Sequence, residues 1–283
     1  MAPANKTLTP EKMRKFLKFA VDLTFDSRHI INTCGNTDIA VNFKRDKSLV
    51  SKLDLEIEML FRKKISEAFP SHGIIGEEFP GYQLGSEYIW ILDPIDGTQE
   101  FINHLPFFGT LIALLYKGNP IVGVIDHPAL DICCFGGRGL GAYIGEAKII
   151  LKDSLSDTQA VVLPARADFE KNTNEDLLFQ QLTRHYENYR VFRNCYGHTT
   201  TLLSSTRLTL EHKVHIWDIA ASQVLVEEAE GKFTILSKSI NGEDTVYSVI
   251  FGSKSEVNKT TEVLQPLFDF YNLKSNKGYL FRG

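Results

Sequence analysis

Apolar residues recur at helical spacing near the start of the chain: Met13, Phe16, Leu17, Ala20, Leu23 and Thr24 follow Thr9, Pro10 and Glu11. A Thr-Pro-Glu start before such a stripe predicts a helix running to about residue 26. A second stripe, Leu53, Ile57, Leu60, Phe61, Ile65 and Ala68, predicts a helix from about 51 to the stop at Phe69-Pro70. The segment between them, residues 34–50, mixes a short alternating strand with polar turn residues, and reads as plain loop or as a lid over a site. After Pro70 the period changes. GIIGEE, YIWILDPIDG, FFGTLIALLYKG, PIVGVIDHP, DICCFGG and GAYIG are short apolar runs punctuated by Gly, Pro and Asp, as in a multi-stranded sheet with hairpin turns.

A polar stretch at 152–159 suggests a boundary, with an N-terminal part spanning 1–152 and a C-terminal part spanning 153–283. Beyond it a strand (AVVLPA), a helix (EDLLFQQLTRHYE), a strand (YRVFRN), a helix through GHTTTLLSSTRL and a helix through DIAASQVLVEEA follow in order. This alternation predicts a second α/β unit with helices covering its sheet.

The 283 residues are enough for a large core, and 43% hydrophobic with 23% charged is ordinary for a folded chain. A net charge of −4 gives no general attraction to a nucleic acid polymer or to an anionic membrane. The longest apolar runs are strand length, far short of the ~20 residues a bilayer helix needs. Cys34, Cys133, Cys134 and Cys195 contain no C-x-x-C pair and match no zinc framework, so they read as free thiols of a cytoplasmic protein.

Candidate chemistry concentrates in IWILDPIDGTQEF, residues 89–101. A buried strand ends abruptly in Asp93 and Asp96, stiffened by Pro94 and Gly97. Two carboxylates on one rigid turn repel unless a cation neutralises them, and hard oxygen ligands suit Mg²⁺ with substrate phosphate completing the shell. An ordinary Asp-rich turn would use the same residues. Glu77 and Glu78 form another acidic pair after a strand. Asp218 heads an apolar helix, where it either caps exposed N–H groups or joins a ligand set, and Asp54 in a first helical turn has the same two readings. Together these carboxylates suffice for a two- or three-metal phosphoryl-transfer site.

Through GEE at 76–78, WILDPIDGTQEF at 90–101 and WDIAA at 217–221, in that order and spacing, the chain resembles the inositol monophosphatase-like superfamily of magnesium-dependent, lithium-sensitive phosphatases. The resemblance implies an α/β (α+β layered) fold, the α-β-α-β-α sandwich shared with fructose-1,6-bisphosphatase, and a homodimer. It also implies hydrolysis of a small phosphate monoester by water, with two or three Mg²⁺ per site. Glu77, Asp93 and the Ile95 carbonyl would hold one ion, and Asp93, Asp96 and Asp218 a second. Thr98 and Asp54 would orient the water, with Glu77 counted among the catalytic residues, while the N–H groups of Gly97 and Thr98 would receive phosphate.

For the leaving group, residues 107–130 and NCYGH at 194–198 look most like the histidinol-phosphate phosphatase branch, which implies L-histidinol phosphate as substrate and a place in histidine biosynthesis. Asn194 and Glu211 are the candidate substrate contacts. Asn194 stands where that branch carries Asp, and His127 where it carries Gln. Inositol 1-phosphate and a 3′(2′),5′-bisphosphate nucleotide are the alternative substrates, and a non-catalytic regulator that binds metal or sugar phosphate is the alternative of a different class.

Overall fold

In the computed structural model, residues 8–34, 41–43, 49–153, 159–171, 173–241 and 244–277 are described. Helix α1 spans Pro10–Cys34, two turns beyond the expected end. Its later polar residues do not stop it, because Thr24, Ser27 and Thr33 return their hydroxyls to carbonyls three or four residues back. Strands β1 (Val41–Phe43) and β2 (Leu49–Ser51) pair antiparallel. The rest of the connection read as loop or lid, residues 35–40 and 44–48, lies outside the described residues. Ser51 then caps α2 (Lys52–Ala68), so the second helix forms where its apolar stripe placed it.

A seven-stranded sheet follows in chain order: β3 (Gly73–Gly76), β4 (Tyr88–Asp96), β5 (Gly109–Tyr116), β6 (Asn119–His127), β7 (Ile132–Gly137), β8 (Gly141–Ile144) and β9 (Ala147–Lys148). Only β3 and β4 are parallel; every other pair is antiparallel. A short helix, α3 (Thr98–Ile102), interrupts the path from β4 to β5.

The second sheet contains β10 (Val161–Val162), β11 (Tyr189–Arg190), β12 (Leu208–Val214), β13 (Lys232–Asn241) and β14 (Asp244–Gly252), in the order β11-β10-β12-β14-β13. Its helices are α4 (Asn174–His185), α5 (Cys195–Leu202), α6 (Ile216–Glu228) and α7 (Lys254–Lys277). The helix expected through GHTTTLLSSTRL is shorter than the sequence suggests. It ends at Leu202, where the hydroxyls of Thr200 and Thr201 bond Thr206 instead of solvent and Ser204 takes a positive φ, and β12 begins at Leu208.

Strand parity builds five layers. Trp90, Leu92, Ile112, Leu114, Val122 and Val124 face α1 and α2, while Ile91, Leu111, Ala113 and Ile125 face α5 and α6. Val249 and Phe251 of the second sheet close on that same middle layer, and Ile250 points the other way, toward α4 and α7. The result is the expected α-β-α-β-α stack, each layer held by apolar side chains worth about 1.5–3 kcal/mol apiece when fully buried. No described helix is long and apolar enough to cross a membrane.

Helix α6 packs against β6 in the middle layer, backbone close to backbone at Gly123. A Cβ on Gly123 would stand 2.5 Å from the Ala221 carbonyl oxygen and 3.0 Å from its Cα, both backbone atoms that cannot rotate away. Gly123→Ala should therefore push α6 outward and destabilise the protein by about 1–3 kcal/mol, the range for overpacking a dense interior. Urea unfolding measures it, and an unchanged midpoint would show that the helix can shift without penalty.

Candidate active site

The alternation that sends Trp90 and Leu92 toward α1 and Ile91 toward α6 places Asp93 on the α6 side, where it is 1% exposed. Regular pairing breaks between Asp93 and Asp96. Pro94 has no N–H to give the ladder, and its carbonyl accepts from Thr110 Oγ1 at 2.8 Å. The irregularity re-aims the chain at Asp96, and Gly97, at φ 90°, makes the left-handed turn into α3. Thr98 Oγ1 donates back to the Ile95 carbonyl at 3.2 Å.

Three other elements converge on this turn. Glu77 leaves β3 with its N–H on the Leu92 carbonyl at 3.1 Å, extending the parallel pair by one residue. At the start of α5 the Cys195 N–H reaches Asp96 Oδ2 at 2.5 Å. At the start of α6 Asp218 Oδ2 accepts from the His215 N–H at 2.6 Å. His215, not Asp218, is the N-cap of α6, so the capping reading of Asp218 is corrected by three residues: its carboxylate reaches back to the cap from the third helical position. Asp54 occupies the same position in α2, buried, with Oδ2 accepting from the Ser51 N–H at 2.8 Å. Strand β2, which delivers Ser51, lies against α3.

The electrostatics of the cluster follow from burial and like charge. Burial first, then Glu77, Asp96 and Asp218, push the Asp93 carboxyl well above the ordinary range. Asp218 is raised by burial and then by Asp96 and Glu77. Asp96 is pushed up to about 6 by burial, with His198 and the Cys195 N–H opposing. Glu77, Asp93, Asp96 and Asp218 therefore feel one another as a unit. Among the described residues no three His, Cys, Asp or Glu side chains have closed into a ligand cage. The residues nonetheless fit a hard divalent cation: the donors are all oxygen, and buried Asp93 Oδ1 has no hydrogen-bond partner.

Several participants carried no signal on their own in the sequence. Glu58, fully buried on α2 and raised by burial, accepts from the Glu78 N–H at 2.8 Å and from Arg62 Nε at 2.7 Å, while Arg62 also donates to the Phe79 carbonyl. This clamp fixes the acidic turn after β3. Gly76 makes room for it, since a Cβ there would fall 2.2 Å from Glu58 Oε1. The one available hint was a Glu set between Ile57 and Phe61 with Arg four residues on.

The leaving-group candidates part company. Asn194 is the N-cap of α5, its Oδ1 accepting from the Tyr196 N–H at 3.0 Å and its amide lying against Gly97. Glu211, on β12, is 8% exposed and pushed up to about 8 by burial and then by Asp168, with Arg193 opposing. His198 Nε2 stands 3.3 Å from Glu211 Oε1, and its Nδ1 is 2.8 Å from Ser222 Oγ. Burial pushes His198 down to about 4, so a neutral ring joins Glu211 to α6. Buried His127 bridges the Phe108 carbonyl and Thr199 Oγ1, at 2.9 and 2.8 Å, as a strut between β6 and α5. His215 stacks on Trp217, and Cys133, Cys134 and Cys195 are free thiols.

A five-layer fold with an acidic turn at the end of β4 defines a class, and residues 12–268 match the Inositol monophosphatase family. The chain belongs to that family, a family of phosphatases. A histidinol-phosphatase of Chlorobaculum parvum is 32% identical over 197 residues, covering 70% of this chain and 76% of the relative. A fructose-1,6-bisphosphatase/inositol-1-monophosphatase of Aquifex aeolicus is 30% identical over 220 residues, covering 75% and 80%. The solved structure of an IMPase from Thermotoga maritima superposes with a TM-score of 0.74 at 23% identity, over 90% of this chain and 98% of that one.

A raised carboxyl pKa means that the folded chain takes up protons before the unfolded chain does. Stability without metal then falls as pH climbs from the ordinary carboxylate range through the raised values. At pH 7 in EDTA, Asp93→Asn should raise Tm on the order of 2–4 °C, the shift for about 1 kcal/mol in a chain of this size. The gain should shrink toward pH 4, and Mg²⁺ should stabilise the native protein more than the variant. Equal melting of both proteins in EDTA at pH 7 would contradict the repulsion.

Proposed function

We propose that the protein hydrolyses a small phosphate monoester with two or three Mg²⁺ ions, for which Glu77, Asp93 and the Ile95 carbonyl would hold one and Asp93, Asp96 and Asp218 a second. The observation that carries this reading is buried Asp93, whose Oδ1 has no hydrogen-bond partner, set where the end of β3, the end of β4 and the head of α6 converge. When bound, the cation supplies charge neutralisation of the phosphate oxygens and a lowered pKa for water. The chain's own groups supply geometry. The Gly97 and Thr98 N–H groups receive the phosphate, Thr98 and Asp54 orient water for in-line attack on phosphorus, and Glu77 takes part as a cation ligand. The water oxygen bonds to phosphorus as the bond from phosphorus to the alcohol oxygen breaks, and a proton given up by that water ends on the departing alcohol. No histidine base or cysteine nucleophile takes part.

Our reading of the substrate is L-histidinol phosphate, with inositol 1-phosphate second. Support for the first comes from residues 107–130 and NCYGH, and from the histidinol-phosphatase of C. parvum. Support for the second comes from the A. aeolicus relative at nearly the same identity. Comparative turnover of the two esters separates them. By the same resemblance the active form is read as a homodimer, which sedimentation velocity tests.

Asp93→Asn should abolish Mg²⁺-dependent hydrolysis of p-nitrophenyl phosphate while circular dichroism shows a folded protein. Near-native turnover would sink the assignment. Thr98→Ala should lower kcat by about 10²-fold with little change in KM, the scale of a positioned proton-transfer network. A change confined to KM would instead make Thr98 a substrate-holding residue.

A further inference from the structure

Pairing between β4 and β5 joins Asp93 to Leu111 and Asp96 to Gly109, so Pro94 and Ile95 together oppose the single residue Thr110. A bulge of this kind takes backbone groups out of the ladder, and buried ones then need another partner. Pro94 is buried, and the partner of its carbonyl is a side chain: Thr110 Oγ1 donates to it at 2.8 Å. Thr110 itself is completely buried.

A hydroxyl has one proton to give, and this one has rival acceptors. Ser27 Oγ of α1 lies at 3.2 Å, farther than the Pro94 carbonyl, and gives its own proton to the Thr24 carbonyl. The stronger rival is Asp126, the register partner of Thr110 across the β5–β6 pair and fully buried on the same face. A carboxylate so placed would outcompete a peptide carbonyl for the proton, since charge-assisted hydrogen bonds are roughly twice as strong. Arg28 prevents it by occupying both Asp126 oxygens, with Nε at 3.1 and 2.9 Å from Oδ1 and Oδ2 and Nη2 at 2.7 Å from Oδ1. The Thr110 proton is thereby left to Pro94. Ser27 and Arg28 both lie in the part of α1 that outruns its expected end, so the extra turns of that helix reach the back of the acidic turn.

Fixing the Pro94 carbonyl sets the plane of the peptide between Pro94 and Ile95. Asp93 is the residue before it, and the next carbonyl along is that of Ile95, which Thr98 Oγ1 meets at 3.2 Å. A buried carbonyl without a donor is strongly disfavoured, so loss of the hydroxyl would rotate this peptide toward another partner and carry the neighbouring oxygens with it.

Resting on the phosphatase reading above, we propose that Thr110 is a positioning residue for the cation site: its hydroxyl, kept for Pro94 by the Arg28–Asp126 pair, sets the peptide that presents Asp93 and the Ile95 carbonyl to Mg²⁺. Thr110 works from the α1 face of the sheet, whereas Asp93 points to the α6 face, so it acts through the backbone alone.

The test is calorimetric titration of Mg²⁺ into the protein well below its Tm, beside the Mg²⁺ dependence of p-nitrophenyl phosphate hydrolysis. Thr110→Val keeps the shape and removes the hydroxyl. It should weaken Mg²⁺ binding about tenfold, the scale for losing the group that orients a metal ligand, and shift the Mg²⁺ midpoint of hydrolysis by the same factor. Thr110→Ser keeps the hydroxyl and should rescue both to within about threefold of native, well inside that scale. Thr110→Ala, also without a hydroxyl, carries the test if Thr110→Val does not fold. A shift below about threefold in the hydroxyl-free variants, with or without a lower Tm, overturns the proposal and makes Thr110 a purely structural residue. An equal loss in Thr110→Ser overturns it as well, because methyl packing would then set the site. A native protein that neither binds Mg²⁺ nor hydrolyses p-nitrophenyl phosphate overturns the phosphatase reading and the proposal with it.

Discussion

Like-charged carboxylates brought together out of water are the constraint around which this molecule is arranged. Each of Glu77, Asp93, Asp96 and Asp218 would gain by moving toward solvent, and burial raises three of them toward protonation. What opposes their escape is a backbone that offers no freedom. Glu77 is tied by its own N–H to β4, Asp93 is a member of a central strand, Asp96 is held from α5, and Asp218 is held to the cap of α6. Local strain of this kind persists only where surrounding packing over-determines the geometry.

The five-layer stack provides that packing, and it also softens the repulsion. Cys195 opens α5 and Asp218 lies in the first turn of α6, so two helices present their amino ends to the acidic turn. Partial positive charge at a helix start favours nearby anions by roughly 0.3–1 kcal/mol, more when partly buried. For both helices to reach the turn they must lie between the sheets, which requires α6 to be apolar on nearly every side. Ile219, Ala220, Ala221, Val224, Leu225 and Val226 meet that demand, and Gly123 lets β6 approach the Ala221 backbone. Apolar burial thus supplies the rigidity that the acidic turn uses.

Much of this was legible in sequence because it is local. Strand parity in YIWILD fixes which face Asp93 takes, and Pro94 and Gly97 mark the turn that re-aims Asp96. The first helix outlasted its expected end because hydroxyls that resemble breakers were satisfied within the helix. Residues assembled by long-range pairing left no such trace. Glu58 matters because α2 brings it against Gly76 of β3, which is no spacing along the chain. β13, reading KFTILSKSIN, alternates too weakly on its polar face to announce a strand before β14 pairs with it.

The division of labour between the sheets bears on how one scaffold accepts different esters. The acidic turn belongs to β3, β4 and the head of α6, whereas the wall around Glu211 belongs to loops at the carboxyl ends of β10 and β11 and to β12. The strap Arg193–Asn194–Cys195 joins the two, and His198 links Glu211 to Ser222 of α6. On the proposed function, chemistry and leaving-group recognition sit on different elements, in keeping with relatives near 30% identity that carry histidinol-phosphatase and inositol-monophosphatase names. The exchange of Asp for Asn at 194 fits the same logic. A capping position tolerates either Asn or Asp, so Asn194 serves the start of α5 as an Asp would.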